Sequence, residues 1–139
     1  MQEPDAWLSR LREALHCGES LLGCTFCQVK PENVSILGLL ADRLTTMCEM
    51  IVCKYFEIVQ SIPCTGVVSA ANAPWLISLG EFEIDCVSEW NVLIRAVLTM
   101  QLRALDSLVR KLKSVTDPAG KRRKIDEMQR RIHGLLGRV

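Results

Sequence analysis

Histidine is scarce in this sequence, with His16 and His133 the only two among 139 residues. That scarcity leaves few copies of the side chain most often used as general base at neutral pH. No Gly-rich phosphate loop, no Gly-x-Ser-x-Gly elbow and no His-Glu-x-x-His pair occurs either. No acid, base and nucleophile can be assembled, so no catalytic residue is expected and the protein reads as a non-enzyme. Aromatic residues make up only 5% of the chain, and none follows Trp90. A basic surface that stacks single-stranded bases is thereby excluded from the C-terminal half.

Long apolar runs are also missing. Residues 58–80, IVQSIPCTGVVSAANAPWLISLG, carry no charge, but Pro63 and Pro74 break them and Gln60, Asn72 and several serines dilute them. A spanning helix needs about 20 predominantly apolar residues, so no membrane span is expected. The opening MQEPDAW lacks the basic and apolar runs of a secretory leader, and seven is an odd number of cysteines. Together these point to a reducing, intracellular setting.

What is present suits one globular domain over residues 1–139, with 49% apolar and 24% charged residues. The net charge of +1 hides an asymmetry: residues 110–139 hold ten basic and three acidic side chains, leaving residues 1–109 net acidic. A basic C-terminal third permits an acidic partner, or docking of the last helix on its own domain.

Apolar residues recur at helical spacing. Trp7, Leu8, Leu11, Ala14 and Leu15 give a first amphipathic helix, weakened at Gly18 and Gly23. Pro31 suits the first turn of a second helix, which Pro63 must end near Ile62. Leu37, Leu40, Leu44, Met47, Ile51, Tyr55, Ile58 and Ile62 form its stripe, widened by Leu39, Val52, Phe56 and Val59. Residues 63–85 read as an irregular loop, with GEFEIDC an extended lead-in that has no obvious strand partner. Asp85 is a candidate cap for a third helix, carrying Val87, Trp90, Ile94, Val97, Leu98, Leu105, Leu108, Val109 and Leu112. Asp117 and Pro118 open a basic fourth helix over 118–137, with Ile125, Met128, Ile132, Leu135 and Leu136 on one face. The expected fold is all-α, a helical bundle with two long central helices. Their length points to a dimer or a larger parent protein, with Leu98, Leu105, Val109 and Leu112 the candidate dimer face.

The stretch LHCGESLLGCTFCQ raises metal chemistry. Cys24 and Cys27 have the spacing of one half of a zinc site, and His16 and Cys17 could complete it. The set lacks a second such pair, so the expectation is no cofactor, the thiols packing as small apolar groups, with structural zinc the alternative. An enzyme using the Cys24/Cys27 pair is a further alternative that needs an exposed thiolate. Cys48, Cys53, Cys64 and Cys86 read as core or loop fillers. Tyr55, Trp75, Phe82 and Trp90 are candidates to line a pocket for a small apolar ligand. The run KRRK at 121–124 resembles a nuclear localisation patch.

The order of blocks is itself informative. CGESLLGCTFC precedes a long helix with LLADRLTTMCEMIVCKYFEIV, then a loop, ISLGEFEIDCVSEW, and a helix with LIRAVLTMQLRALDSLVRKLKSV. Over about residues 13–115 this resembles the C-terminal regulatory domain of the fungal aflatoxin regulatory protein family, zinc-cluster transcription factors of secondary metabolism. The resemblance implies a nuclear regulatory domain acting through self-association, a protein partner or a sensed small molecule. The family's six-cysteine DNA-binding module has no counterpart here, so sequence-specific DNA binding by this chain is not implied.

Overall fold

The computed structural model describes residues 4–26, 30–61, 78–79, 82–83, 87–116 and 121–139. Four helices account for nearly all of them: α1 (Pro4–Gly23), α2 (Pro31–Ser61), α3 (Val87–Val115) and α4 (Lys121–Arg138). The fold is all-α, and α2 and α3, with 31 and 29 residues, are its two long helices. At about 1.5 Å per residue each runs for some 45 Å.

Helix α2 starts as its sequence dictates. The Lys30 carbonyl accepts from the Asn33 and Val34 amides at 3.1 and 3.2 Å, Pro31 takes the position that needs no donor, and Glu32 faces the positive helix end. The proposed caps Asp85, Asp117 and Pro118 lie outside the described residues. Helix α1 does not stop at Gly18 but continues through it to Gly23. Gly18 is where α1 meets α3, since a Cβ there would sit 3.2 Å from both Leu108 methyls. The glycine is retained for contact, not for a break.

Packing is centred on the long pair. Helices α2 and α3 each touch all three other helices, whereas α1 and α4 make no contact with each other among the described residues. Leu37, Leu44, Ile51 and Tyr55 of the expected α2 stripe are buried, joined by Ala41, Thr45, Cys48 and Val52 at 4,3,4 spacing. Two adjoining rows of buried residues explain why α2 can touch three neighbours. Thr45 is fully buried yet satisfied, its hydroxyl donating to the Ala41 carbonyl at 2.8 Å. Helix α4 offers Ile125, Met128, Ile132 and Leu135 to the same core.

Three expectations need correction. Leu98, Leu105, Val109 and Leu112, assigned to a dimer face, are between 0 and 3% exposed and form the core of this chain. They are not available to a second copy, because the other helices of their own chain already cover them. Leu39, assigned to the buried stripe, is 67% exposed. The extended segment does have a strand partner, for Phe82–Glu83 pairs antiparallel with Ser78–Leu79, Leu79 opposite Phe82.

Candidate functional site

Of the four aromatic residues proposed to line a pocket, only the Tyr55 side chain is described; Trp75 and the side chains of Phe82 and Trp90 lie outside the described residues. Tyr55 is buried and ties α2 to α3 with its polar tip. Its hydroxyl donates to Asn91 Oδ1 and accepts from Arg95 Nε at 3.1 Å. The next residue, Phe56, carries the Arg138 guanidinium over its ring, 5.1 Å from the centroid. These contacts close one end of the bundle.

Of the proposed metal set, His16, Cys17 and Cys24 are described, and they form no three-residue cluster. His16 and Cys17 are exposed on α1, while Cys24 follows its end, two helical turns or about 10 Å further along. Cys27 lies outside the described residues, and no cluster of three His, Cys, Asp or Glu side chains forms among the described ones. Nor do all the described thiols pack: Cys17 and Cys53 are exposed, Cys24 is half-buried, and Cys48 alone is in the core. Burial, with help from the Glu49 carboxylate, pushes the Cys48 thiol up to about 12. It therefore stays protonated and unreactive at neutral pH.

A site that the sequence reading missed lies between α2 and α4. Val34, Ser35, Gly38, Leu39 and Asp42 form one wall, Lys124, Ile125, Glu127, Met128 and Arg131 the other, and Leu112 and Thr116 of α3 complete it. The groove encloses about 270 Å³. Gly38 opens it, because a Cβ at that position would meet nothing within 4 Å. Leu39 stands in its wall, and Ile36 next to it is 60% exposed.

Arg131 fixes the spacing of the two walls. Its Nε donates to Glu49 Oε1, one terminal nitrogen reaches Asp42 Oδ1 at 3.2 Å and the other reaches Thr46 Oγ1 at 3.2 Å. The Glu49 hydrogen bond, before the other contacts, raises the guanidinium's pKa still further. Lys124 and Glu127 are left on the rim with no ion pair among the described residues. The floor is aliphatic and the rim carries both signs of charge. The sequence signal was present in two places: a glycine inside an apolar helix, and Leu39 and Ile36 off the main stripe.

No family model, no curated protein and no solved structure matches this chain.

None of the described helices is long and apolar enough to cross a membrane.

Proposed function

We propose that the chain is a regulatory interaction domain that binds a protein partner through the α2–α4 groove. The observation that carries this reading is the groove itself, which is open at Gly38, where an added Cβ would meet nothing within 4 Å. Small-molecule pockets usually run from about 300 to 1,000 Å³. At about 270 Å³ and open along one side, this groove better suits a partner's apolar anchor. An amphipathic helix with an aliphatic anchor matches the floor, and an acidic residue beside the anchor would meet Lys124.

The biological setting proposed for this domain is transcriptional control of fungal secondary metabolism, in the nucleus. The ordered blocks that resemble the aflatoxin regulatory family support it, and the exposed Arg122, Arg123 and Lys124 of the KRRK run fit nuclear import. A reporter assay tests the reading. Fused to an unrelated DNA-binding module in a fungal host, the chain should change reporter output. Leu39→Asp and Gly38→Met should each cancel the change while leaving helical circular dichroism intact. A fusion that leaves the reporter unmoved, or variants that behave as wild type, would refute it.

A further inference from the structure

A different side of α4 carries a seam of cations. Asp106 of α3 accepts from Arg110 at 3.0 Å and pairs with His133 of α4 at 3.1 Å. Further along, Lys113 of α3 meets Asp126 of α4 at 2.6 Å. These contacts place α3 and α4 side by side, and helical spacing adds their neighbours to the same face. Arg103 lies three residues before Asp106, Arg130 three before His133, and Arg122 four before Asp126. All three arginines are exposed, and none has an acidic partner among the described residues.

The charge on this face does not balance. Arg103, Arg110, Lys113, Arg122 and Arg130 stand against only Asp106 and Asp126, and the Asp106 side chain is just 10% exposed. The side chains between the cations, Ser107, Ser114 and Gln129, are polar. In the first turn of α4 Arg123 is exposed as well, and that turn holds no acid.

We infer that the α3–α4 face binds the phosphate backbone of duplex nucleic acid without reading its sequence. A docked peptide would need an apolar anchor, and the side chains between the cations are polar, with Met100 exposed only beyond Arg103 at the end of the row. Single strands would need aromatic platforms, and neither helix has one on its described surface. Phosphates need only fixed cations, for which arginine forks are well matched. From Arg103 to Lys113, and from Arg122 to His133, the rows run about 15 Å along axes some 8–10 Å apart. That length spans about four phosphates of one strand at about 3.4 Å rise each.

The test is fluorescence anisotropy of the full chain with a labelled DNA duplex of about 20 base pairs, over a salt series. Binding should weaken with salt at a logarithmic slope of about −3 to −4, about 0.9 per phosphate neutralised. Combining Arg103→Ala with Arg130→Ala should lower the slope by about 2, equally for duplexes of unrelated sequence. Arg122→Ala alone should lower it by about 1. Arg12→Ala with Arg43→Ala, on α1 and α2, should leave it unchanged. Absence of binding at about 25 mM salt would overturn the inference. So would an unchanged slope in folded variants, an equal loss in the control pair, or tighter binding of a glutamate-rich peptide of the same charge.

Discussion

Replacing glycine by alanine inside a helix ordinarily stabilises it by about 0.8–1.0 kcal/mol, because the unfolded chain loses freedom and the helix gains a good former. Gly18 and Gly38 both lie inside helices, yet their surroundings are opposite. At Gly38 the new methyl meets nothing within 4 Å, so the full gain should appear. At Gly18 the methyl falls 3.2 Å from Leu108 Cδ1 and Cδ2, tighter than ordinary contact. Leu108 is 1% exposed and cannot simply swing into solvent. Overpacking of this kind costs about 1–3 kcal/mol, which cancels or exceeds the propensity gain.

Gly38→Ala should therefore raise stability by about 1 kcal/mol, and Gly18→Ala should leave it level or lower it by up to about 2 kcal/mol. Urea unfolding followed by far-ultraviolet circular dichroism separates the two. With a slope near 2 kcal/mol per molar, Gly38→Ala shifts the midpoint upward by about 0.5 M. Gly18→Ala should shift it downward or not at all, with an unchanged slope. Equal gains for both variants would refute the close approach of α1 to α3 at Gly18. A loss in Gly38→Ala would refute the open groove.

Three further outcomes are expected. Leu105→Ala removes a fully buried side chain and should cost about 2–5 kcal/mol in thermal or urea unfolding, as a core residue does and a surface residue does not. Cys48 holds its proton to about pH 12 when folded, whereas an ordinary thiol ionises near 9; the native state therefore binds more protons across that window, and stability should fall as pH rises through it. In Cys48→Ala that alkaline decline should be shallower, and mass-spectrometric alkylation of the folded protein should label Cys17 and Cys53 well before Cys48. A double-mutant cycle between Arg131→Met and Glu49→Gln should give a coupling of about 0.5–1 kcal/mol, reduced by salt because both side chains are partly solvated.

The four helices could be read from the sequence because period-3.6 stripes are summed over many residues, and Leu37, Leu44, Ile51, Leu105 and Ile132 each fall where their stripe requires. Single residues fared worse for a physical reason. Periodicity says that a side chain is apolar on one face but not what covers that face. Leu105 and Val109 are covered by their own chain, so they were mistaken for a dimer face. Leu39 is covered by nothing, so it was mistaken for core. Gly18 looked like a helix breaker because its reason for being glycine, the Leu108 methyls, lies 90 residues away in sequence. The pairing of Ser78–Leu79 with Phe82–Glu83 was missed because two residues are too few to show a period.

Both proposed surfaces depend on how α4 is seated. Its mean hydropathy is low for a helix, and Ile125, Met128, Ile132 and Leu135 anchor it in the core, with Leu136 partly buried beside them. Helix α1 gives it no support. Polar ties add to its placement: Arg131 to Glu49, Asp42 and Thr46 on the α2 side, and Asp126 to Lys113 and His133 to Asp106 on the α3 side. The first set holds the groove open at its width, and the second aligns the cationic seam. Exposed pairs of this kind contribute about 0–1 kcal/mol each and weaken with salt. Helix α4 should accordingly be the first element to exchange its amide hydrogens. Loosening it should disturb groove and seam together, whereas Leu39→Asp should affect the groove alone and Arg103→Ala the seam alone.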